Sequence, residues 1–480
     1  MNMQKPADAR IGQARGAQAI WLVCAFSAIF AGVGLPFYLG LLDGNLLSLL
    51  VFPLGLFLLG IFFAAPKLFF YLIMVVRSAC DLVFESARMA TGGGGPGIGA
   101  LVNASVIALA LYIFSKDEFQ KRKPMFMAWA IFFATAGYGL LLSPTKIESV
   151  RLILAWVSNL AVFFCAAHFV RSMKDFVGQL QVIVLSSIAP AVYAFYVIAN
   201  AGIGSIGSLR IESTFTHPNI FAFYLAFVIN IVFYLIKATS RTVNAWVRPA
   251  LFLWMMVLLG LLVCTQTRSA WLACMLMFLG FGLLIERRYL LYMVGACALA
   301  LTFEPIRDRL FDLNAPEVET SQTKLDSFRW RVELWTAGLG WMEIKRYFFG
   351  YGIGAFSENA PVFFPRGDGI KWDAHNVYVQ WLFDVGIVGL LGYAWIHVRI
   401  LYLYRRLAEI DRPLGFIVLV TVISYLTVSF SDNMMFYLAF NWYYWFFLGG
   451  AGALLFGVAR TGTRPATGVM GQRPILLPRD

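Results

Sequence analysis

Two arginines and two histidines are the residues of this chain whose type and setting could do chemistry. Arg210 stands in Leu209-Arg210-Ile211-Glu212 and Arg268 in Thr267-Arg268-Ser269-Ala270-Trp271, each alone beside an apolar stretch. A guanidinium meets phosphate oxygens with two parallel N–H donors and stays charged at any working pH. An arginine beside an apolar stretch can equally snorkel to lipid headgroups. His375 lies in Asp373-Ala374-His375-Asn376 and His217 in His217-Pro218-Asn219. An imidazole of ordinary pKa, about 6.5, can take a proton at neutral pH. Asp373, two residues before His375, is a candidate to orient the ring. Proline directly after His217 suits the first turn of a helix, so His217-Pro218-Asn219 reads mainly as a helix start with a second role at the site.

Several other chemistries lack their residues. No G-x-x-x-x-G-K-S/T occurs, which excludes a P-loop ATP-driven pump. There is no D-x-D and no His/Cys cluster, so metal-dependent glycosyl transfer lacks its usual ligands. Glu317-Val318-Glu319 is the nearest acidic pair and reads as solvated surface in a charged loop. Gly350-Tyr351-Gly352-Ile353-Gly354 follows an amphipathic stretch rather than a strand, so it reads as a tight turn and not a dinucleotide loop.

The elements that must position these residues are membrane spans. Of 480 residues 60% are hydrophobic and only 13% charged, against roughly a quarter charged in a soluble domain. Apolar runs about 20 residues long, enough to cross a bilayer core, recur from Trp21 to Gly457. The expected fold is an all-α integral membrane bundle of about 12–14 helices with one large external loop that contains an amphipathic helix. Spans are placed near 18–36, 45–64, 68–87, 99–114, 125–142, 148–170, 178–200, 218–236, 250–265, 269–285, 289–303, 377–396, 414–430 and 437–457. The third carries Arg77 and Asp81, four apart and able to pair on one helix face; a broken or interfacial helix suits it as well as a span. The net charge of +12 then needs no nucleic acid, only a topology that gathers Lys and Arg on one side. With fourteen spans and the N-terminus inside, the short cytoplasmic segments hold 23 Lys or Arg and the short external loops four: Arg88, Lys146, Arg210 and Arg268. His217 and His375 then fall at the external face, while His168 and His397 fall toward the cytoplasm and read as structural.

The expected organisation is a cytoplasmic segment 1–17, helices with short loops over 18–303, the external loop 304–376, helices over 377–457 and a cytoplasmic tail 458–480. Inside the loop, Phe328, Val332, Trp335, Leu339 and Met342 follow a four-three-four-three spacing and predict an amphipathic helix. It would lie on the membrane surface, over a cavity mouth, or packed on the spans below. Gly92–Gly95 reads as a flexible external loop; Trp442-Tyr443-Tyr444-Trp445, near the external end of the last spans, could stack on sugars but reads first as an interfacial aromatic belt.

His375-Asn376, nine residues, then Gly386-Ile387-Val388-Gly389 make H-N-x9-G-x-x-G. This resembles the signature of the O-antigen ligase and O-antigen polymerase (Wzy-type) superfamily. Arg210 followed by His217-Pro218-Asn219, then Thr267-Arg268-Ser269-Ala270-Trp271, then Arg331…Trp335 leading to Gly350-Tyr351-Gly352-Ile353-Gly354-Ala355-Phe356, resemble three further pieces of that family in order. The likeness covers about residues 200–400. It departs after Gly389, where Leu390-Leu391-Gly392 stands in place of the small polar pair common in ligases.

The resemblance implies a glycosyltransferase of the bacterial inner membrane, with its active site facing the periplasm and both termini in the cytoplasm. Its donor would be an undecaprenyl-pyrophosphate-linked glycan, and it would need no nucleotide sugar, metal or other cofactor. The acceptor would be a sugar hydroxyl, on a second lipid-linked glycan in a polymerase or on lipid A core in a ligase; a chain-length regulator is a further partner such a polymerase would admit. In this reading His375 is the base, Arg210 and Arg268 hold the pyrophosphate, and Asp373, Asn376, His217 and Asn219 support them. The extra N-terminal spans and the departure after Gly389 favour the polymerase, which would build O-antigen or exopolysaccharide. A flippase or other transporter of lipid-linked glycan stays open, although the long loop has no counterpart in the first half of the chain as paired halves would require. A structural or receptor role would leave the two arginines and His375 without a purpose.

Overall fold

The structure, a computed structural model, describes residues 57–84, 98–116, 125–202, 210–238, 246–303, 307, 318–319, 324–325 and 327–461. The first span, most of the second, the Gly92–Gly95 loop, the cluster Lys121–Lys123, Glu317 and both chain ends lie outside these residues. The chain divides into two compact units, residues 1–74 and 75–480.

The described elements are helical apart from one ladder of two-residue strands. In chain order they are α1 Pro66–Ala79, α2 Ile98–Lys116, α3 Phe126–Leu142, α4 Lys146–Phe169, α5 Met173–Ser186, α6 Ile188–Ala201, α7 Pro218–Ala238, α8 Val247–Cys264, α9 Arg268–Leu284 and α10 Arg288–Leu301. Strands β1 Val318–Glu319 and β2 Lys324–Leu325 follow, antiparallel, with Glu319 opposite Lys324. Then come α11 Ser327–Trp341, α12 Arg346–Phe349, α13 Ala355–Phe363, α14 Val377–Tyr404, α15 Leu407–Ile410, α16 Arg412–Val428 and α17 Leu438–Thr461. Five stretches are long and apolar enough to cross a bilayer: 146–169, 173–201, 218–238, 247–264 and 377–410. The chain is an all-helical, multi-span membrane protein. The stretch 173–201 is two helices that meet at Ser187, ahead of Pro190, which has no N–H to continue the ladder.

Helix α7 is the centre of the larger unit. Every residue from Asn219 to Ile236 is buried; it is apolar all round, as a helix enclosed on every side must be. Helix α17 is enclosed as well. Trp442, Tyr443 and Tyr444 are fully buried and Trp445 nearly so, which corrects the expectation of an interfacial belt. The physical reason is ring-on-ring packing between helices: Trp445 lies 4.5 Å from Trp129, Tyr444 lies 4.3 Å from Tyr425 in a stack, and the Trp442 indole donates to Ser158 Oγ at 2.9 Å. His397 is closed in by the same group of rings, with Nδ1 3.0 Å from the Tyr393 carbonyl.

The Arg77–Asp81 pair forms as its spacing predicts, at 2.9 Å and buried. The helix breaks between the two residues: α1 ends at Ala79 and a new turn covers 81–84. Trp442 and Phe84 lie against the Arg77 guanidinium at 5.6 and 5.3 Å, so charge and rings share the cost of burial.

In the 304–376 loop the amphipathic helix is α11, but its buried face differs from the predicted stripe. Trp330, Leu334, Trp335 and Met342 are buried, whereas Phe328 is 58% and Val332 38% exposed. The face is set by Phe356, Phe364, Ala374 and Phe383, on which α11 packs. Spacing alone cannot say which of two adjacent apolar faces meets a partner.

Candidate functional site

The segment 210–217 is strapped to its neighbours before it enters α7. The Ile211 N–H donates to the Cys264 carbonyl, Ser213 Oγ to the Pro190 carbonyl at 2.6 Å, and Thr214 Oγ1 to the Ser78 carbonyl at 2.6 Å. Phe215 is buried against Phe221 and Tyr224. At the helix start the Asn219 N–H donates to His217 Nδ1 at 3.1 Å. Because Nδ1 accepts, the neutral ring carries its proton on Nε2. His217 is therefore a helix cap with one N–H still to offer. Burial, helped by Arg210 and Arg331, holds its pKa below the ordinary histidine value.

Asn219, two residues on, is the hub. Its Oδ1 accepts from Arg210 Nη2 at 3.0 Å and from Thr267 Oγ1 at 3.2 Å; its Nδ2 donates to both carboxylate oxygens of Asp432 at 3.2 Å. Asp432 also accepts from the Tyr437 hydroxyl at 2.6 Å. Burial pushes the Asp432 carboxyl up, and the positive charges of Arg331 and Arg210 with the bonds from Tyr437 and Asn219 oppose it. Arg268 is the first residue of α9, next to Thr267, so its backbone stands at the edge of the same network.

Helix α11 brings a third cation. Arg331 donates through Nη1 to the Ser431 carbonyl at 2.6 Å, and its charge acts on Asp432, His217 and His375. Trp335, one turn on, donates its indole N–H to the Ala374 carbonyl. His375 is pinned on both sides. The Ala374 N–H donates to Gln380 Oε1 at 2.9 Å, Asn376 Oδ1 accepts from the N–H groups of Tyr378 and Val379, and the Val377 N–H donates to the Ser429 carbonyl at 2.9 Å. Between these anchors His375 adopts φ 49°, the left-handed region that a residue with a side chain occupies only when its surroundings hold it there. The ring is half-buried. Burial first, then the charges of Arg331 and His217, lower its pKa to about 4, so it is neutral at pH 7. The Asp373 carboxyl is next to the Ser357 hydroxyl, and no hydrogen bond joins it to His375.

The glycines of the motif serve the backbone. Gly386 sits inside α14 at φ 72°, and a Cβ there would meet the Phe348 carbonyl oxygen at 2.3 Å. Gly350, at φ 69°, approaches Asp384 from the other side, where a Cβ would meet its carbonyl oxygen at 2.3 Å. Across this contact the Tyr351 N–H donates to the Phe383 carbonyl and the Gly352 N–H to the Asp384 carbonyl. The Asp384 carboxylate accepts from the Gly354 and Phe356 N–H groups at 3.0 and 2.9 Å. The glycine-rich segment is a tight turn, as expected, and it docks the loop onto the kink of α14.

The structure thus draws Arg210, His217, Asn219 and His375 into one constellation, with Arg268 beside it and Asn376 beneath it as the cap of α14. Arg331, Asp432 and Tyr437 join them, and sequence reasoning assigned them no role. The one sequence signal for Asp432 is its place in Ser431-Asp432-Asn433, a polar group between two apolar spans.

No curated protein matches the chain. Residues 251–394 match the family model described as O-antigen ligase. The match runs from α8 into α14 and takes in Arg268, Arg331, Asp373, His375, Asn376, Gly386 and Gly389. This match supports the resemblance of the chain to the O-antigen ligase and polymerase superfamily.

Proposed function

We propose that this protein is an inner-membrane glycosyltransferase that polymerises undecaprenyl-pyrophosphate-linked oligosaccharide repeats at the periplasmic face. The observation that carries the reading is the convergence of a neutral, half-buried His375 with the cations Arg210 and Arg331 around Asn219 and Asp432. In the reaction, the hydroxyl oxygen of the acceptor sugar attacks the anomeric carbon of the donor. Its proton passes to His375. The bond between the anomeric carbon and the pyrophosphate oxygen breaks, and its electron pair leaves on the pyrophosphate. That leaving group is already anionic, so fixed guanidinium groups can stabilise it without an acid. Arg210, Arg268 and Arg331 take this part. Asp432 and Asn219 orient Arg210, and the His217 Nε2–H is free to donate to a phosphate or sugar oxygen.

A base of pKa about 4 is weak for this task, but its depression comes partly from neighbouring positive charge. A bound pyrophosphate brings negative charge beside Arg331 and raises the imidazole toward the working pH.

Transfer of the finished glycan to lipid A core is the second reading, favoured by the match to the O-antigen ligase family model. The deciding experiment gives the purified protein a defined lipid-linked repeat in the absence of lipid A core. Ladders of increasing length are expected. Transfer that appears only when lipid A core is added would make the protein a ligase.

A further inference from the structure

Helices α9, α14 and α16 each have one end at the constellation described above: Arg268, Val377 and Val428. Their other ends, at Leu284, Tyr404 and Arg412, surround a cavity of about 290 Å³. It lies a helix length away from His375, at roughly 1.5 Å per residue along α14. Its walls are apolar: Ile400 and Tyr404 from α14, and Phe416 and Leu419 from α16, are representative. The Tyr404 hydroxyl is turned away, donating to the Leu448 carbonyl at 2.6 Å, so the ring and not its polar tip faces the space. Gly415 keeps α15 close, since a Cβ there would meet the Ala408 nitrogen at 2.5 Å.

Among the described residues, the charged side chains lining this cavity are Arg405 and Arg412, both exposed. Arg412 donates one N–H to the Leu284 carbonyl at 2.7 Å, and Arg405 stacks on the Tyr402 ring at 4.5 Å. Among the described residues neither is in an ion pair. The nearby Asp411 carboxylate is engaged elsewhere, by the Leu414 N–H and the Tyr234 hydroxyl. An apolar slot with two guanidinium groups and no acid is complementary to one kind of membrane molecule: an aliphatic chain carrying a phosphate.

We infer that this cavity binds an anionic glycerophospholipid, one acyl chain in the slot and the phosphate on Arg405 and Arg412, in the leaflet opposite the His375 constellation. The site is independent of glycosyl transfer, and the lipid would brace the far ends of the three helices that carry the constellation.

The test uses the full-length protein in detergent, exchanged against phosphatidylglycerol or phosphatidylcholine of identical acyl chains and read by native mass spectrometry. One phosphatidylglycerol should be retained in preference to phosphatidylcholine. Arg405→Ala or Arg412→Ala should weaken that retention about 5-fold each and the pair roughly 30-fold, following the usual worth of a basic residue at a lipid surface. Leu419→Trp, which fills the slot and leaves both arginines, should reduce retention of both lipids. A melting curve in the same detergent establishes that each variant is folded; should the double alanine variant unfold, Arg405→Gln with Arg412→Gln replaces it. Equal retention of the two lipids, or retention indifferent to the arginines in folded protein, overturns the inference. So does displacement of phosphatidylglycerol by equimolar undecaprenyl phosphate, which would make the cavity a carrier-lipid site.

Discussion

His375 is the residue on which the proposed chemistry turns, and its surroundings make a definite pH prediction. Its pKa is lowered, so the neutral, functional form persists above about pH 4 and is lost as pH falls through that value. kcat/KM reports the free enzyme and should show an acidic limb near pH 4; kcat reports the donor complex, where pyrophosphate raises the imidazole, and its limb should lie higher. His375→Ala should lose about 10²–10⁴-fold in transfer while donor binding survives, and His375→Gln should be no better, since an amide cannot take the proton. Transfer by purified, folded variants on a defined donor measures this; near-wild-type turnover of His375→Ala with an unchanged pH profile would mean that another group activates the acceptor. The arginines make a second prediction. A two-pronged contact is lost in lysine, so Arg210→Lys, Arg268→Lys and Arg331→Lys should each fall about 10²-fold, nearly as far as alanine. Full activity in the lysine variants would reduce the three to generic cations.

Among the elements, the kink of α14 matters most, because it joins the loop to the span that begins just after His375. Gly386 combines a positive φ with a backbone contact that leaves no room for a Cβ. Gly386→Ala should cost at least about 2 kcal/mol and lower activity with it. Gly137 is the matched control: it lies within α3 with open space where a Cβ would stand, so Gly137→Ala should be neutral or gain up to about 1 kcal/mol. Melting curves in detergent separate the two, and equal stability of both variants would remove the argument for close approach. The distinction was not legible in the sequence, where Gly386 and Gly137 are alike small residues in apolar runs. The H-N-x9-G-x-x-G spacing pointed to the right glycine but not to its reason, which lies in Phe348, 38 residues upstream.

For the whole molecule, the segregation of 23 basic residues against four in the short loops predicts sidedness. Reporters fused after Arg248 and Arg406 should read cytoplasmic, and one near Glu319 periplasmic. The reverse at Glu319 would put the constellation on the wrong face for a periplasmic donor and end the functional proposal.

Sequence alone determined what depends on composition and local period. Twenty-residue apolar runs must be helices in a bilayer, because no water is present there to satisfy an open backbone. That made the helices over residues 98–303 and 377–461 legible, along with the Arg77–Asp81 pair one turn apart and the helix start at His217-Pro218-Asn219. Only the tertiary structure decided which faces meet. It turned Trp330 and Leu334 inward instead of Phe328 and Val332, and it enclosed Trp442–Trp445 in place of an interfacial belt. It also bonded Asp432 to Asn219 across 213 positions and Arg331 to the Ser431 carbonyl across 100. Period and composition report each helix's own surface. Contacts between helices depend on their relative rotation and on chain segments far away, and neither leaves a mark on the local sequence.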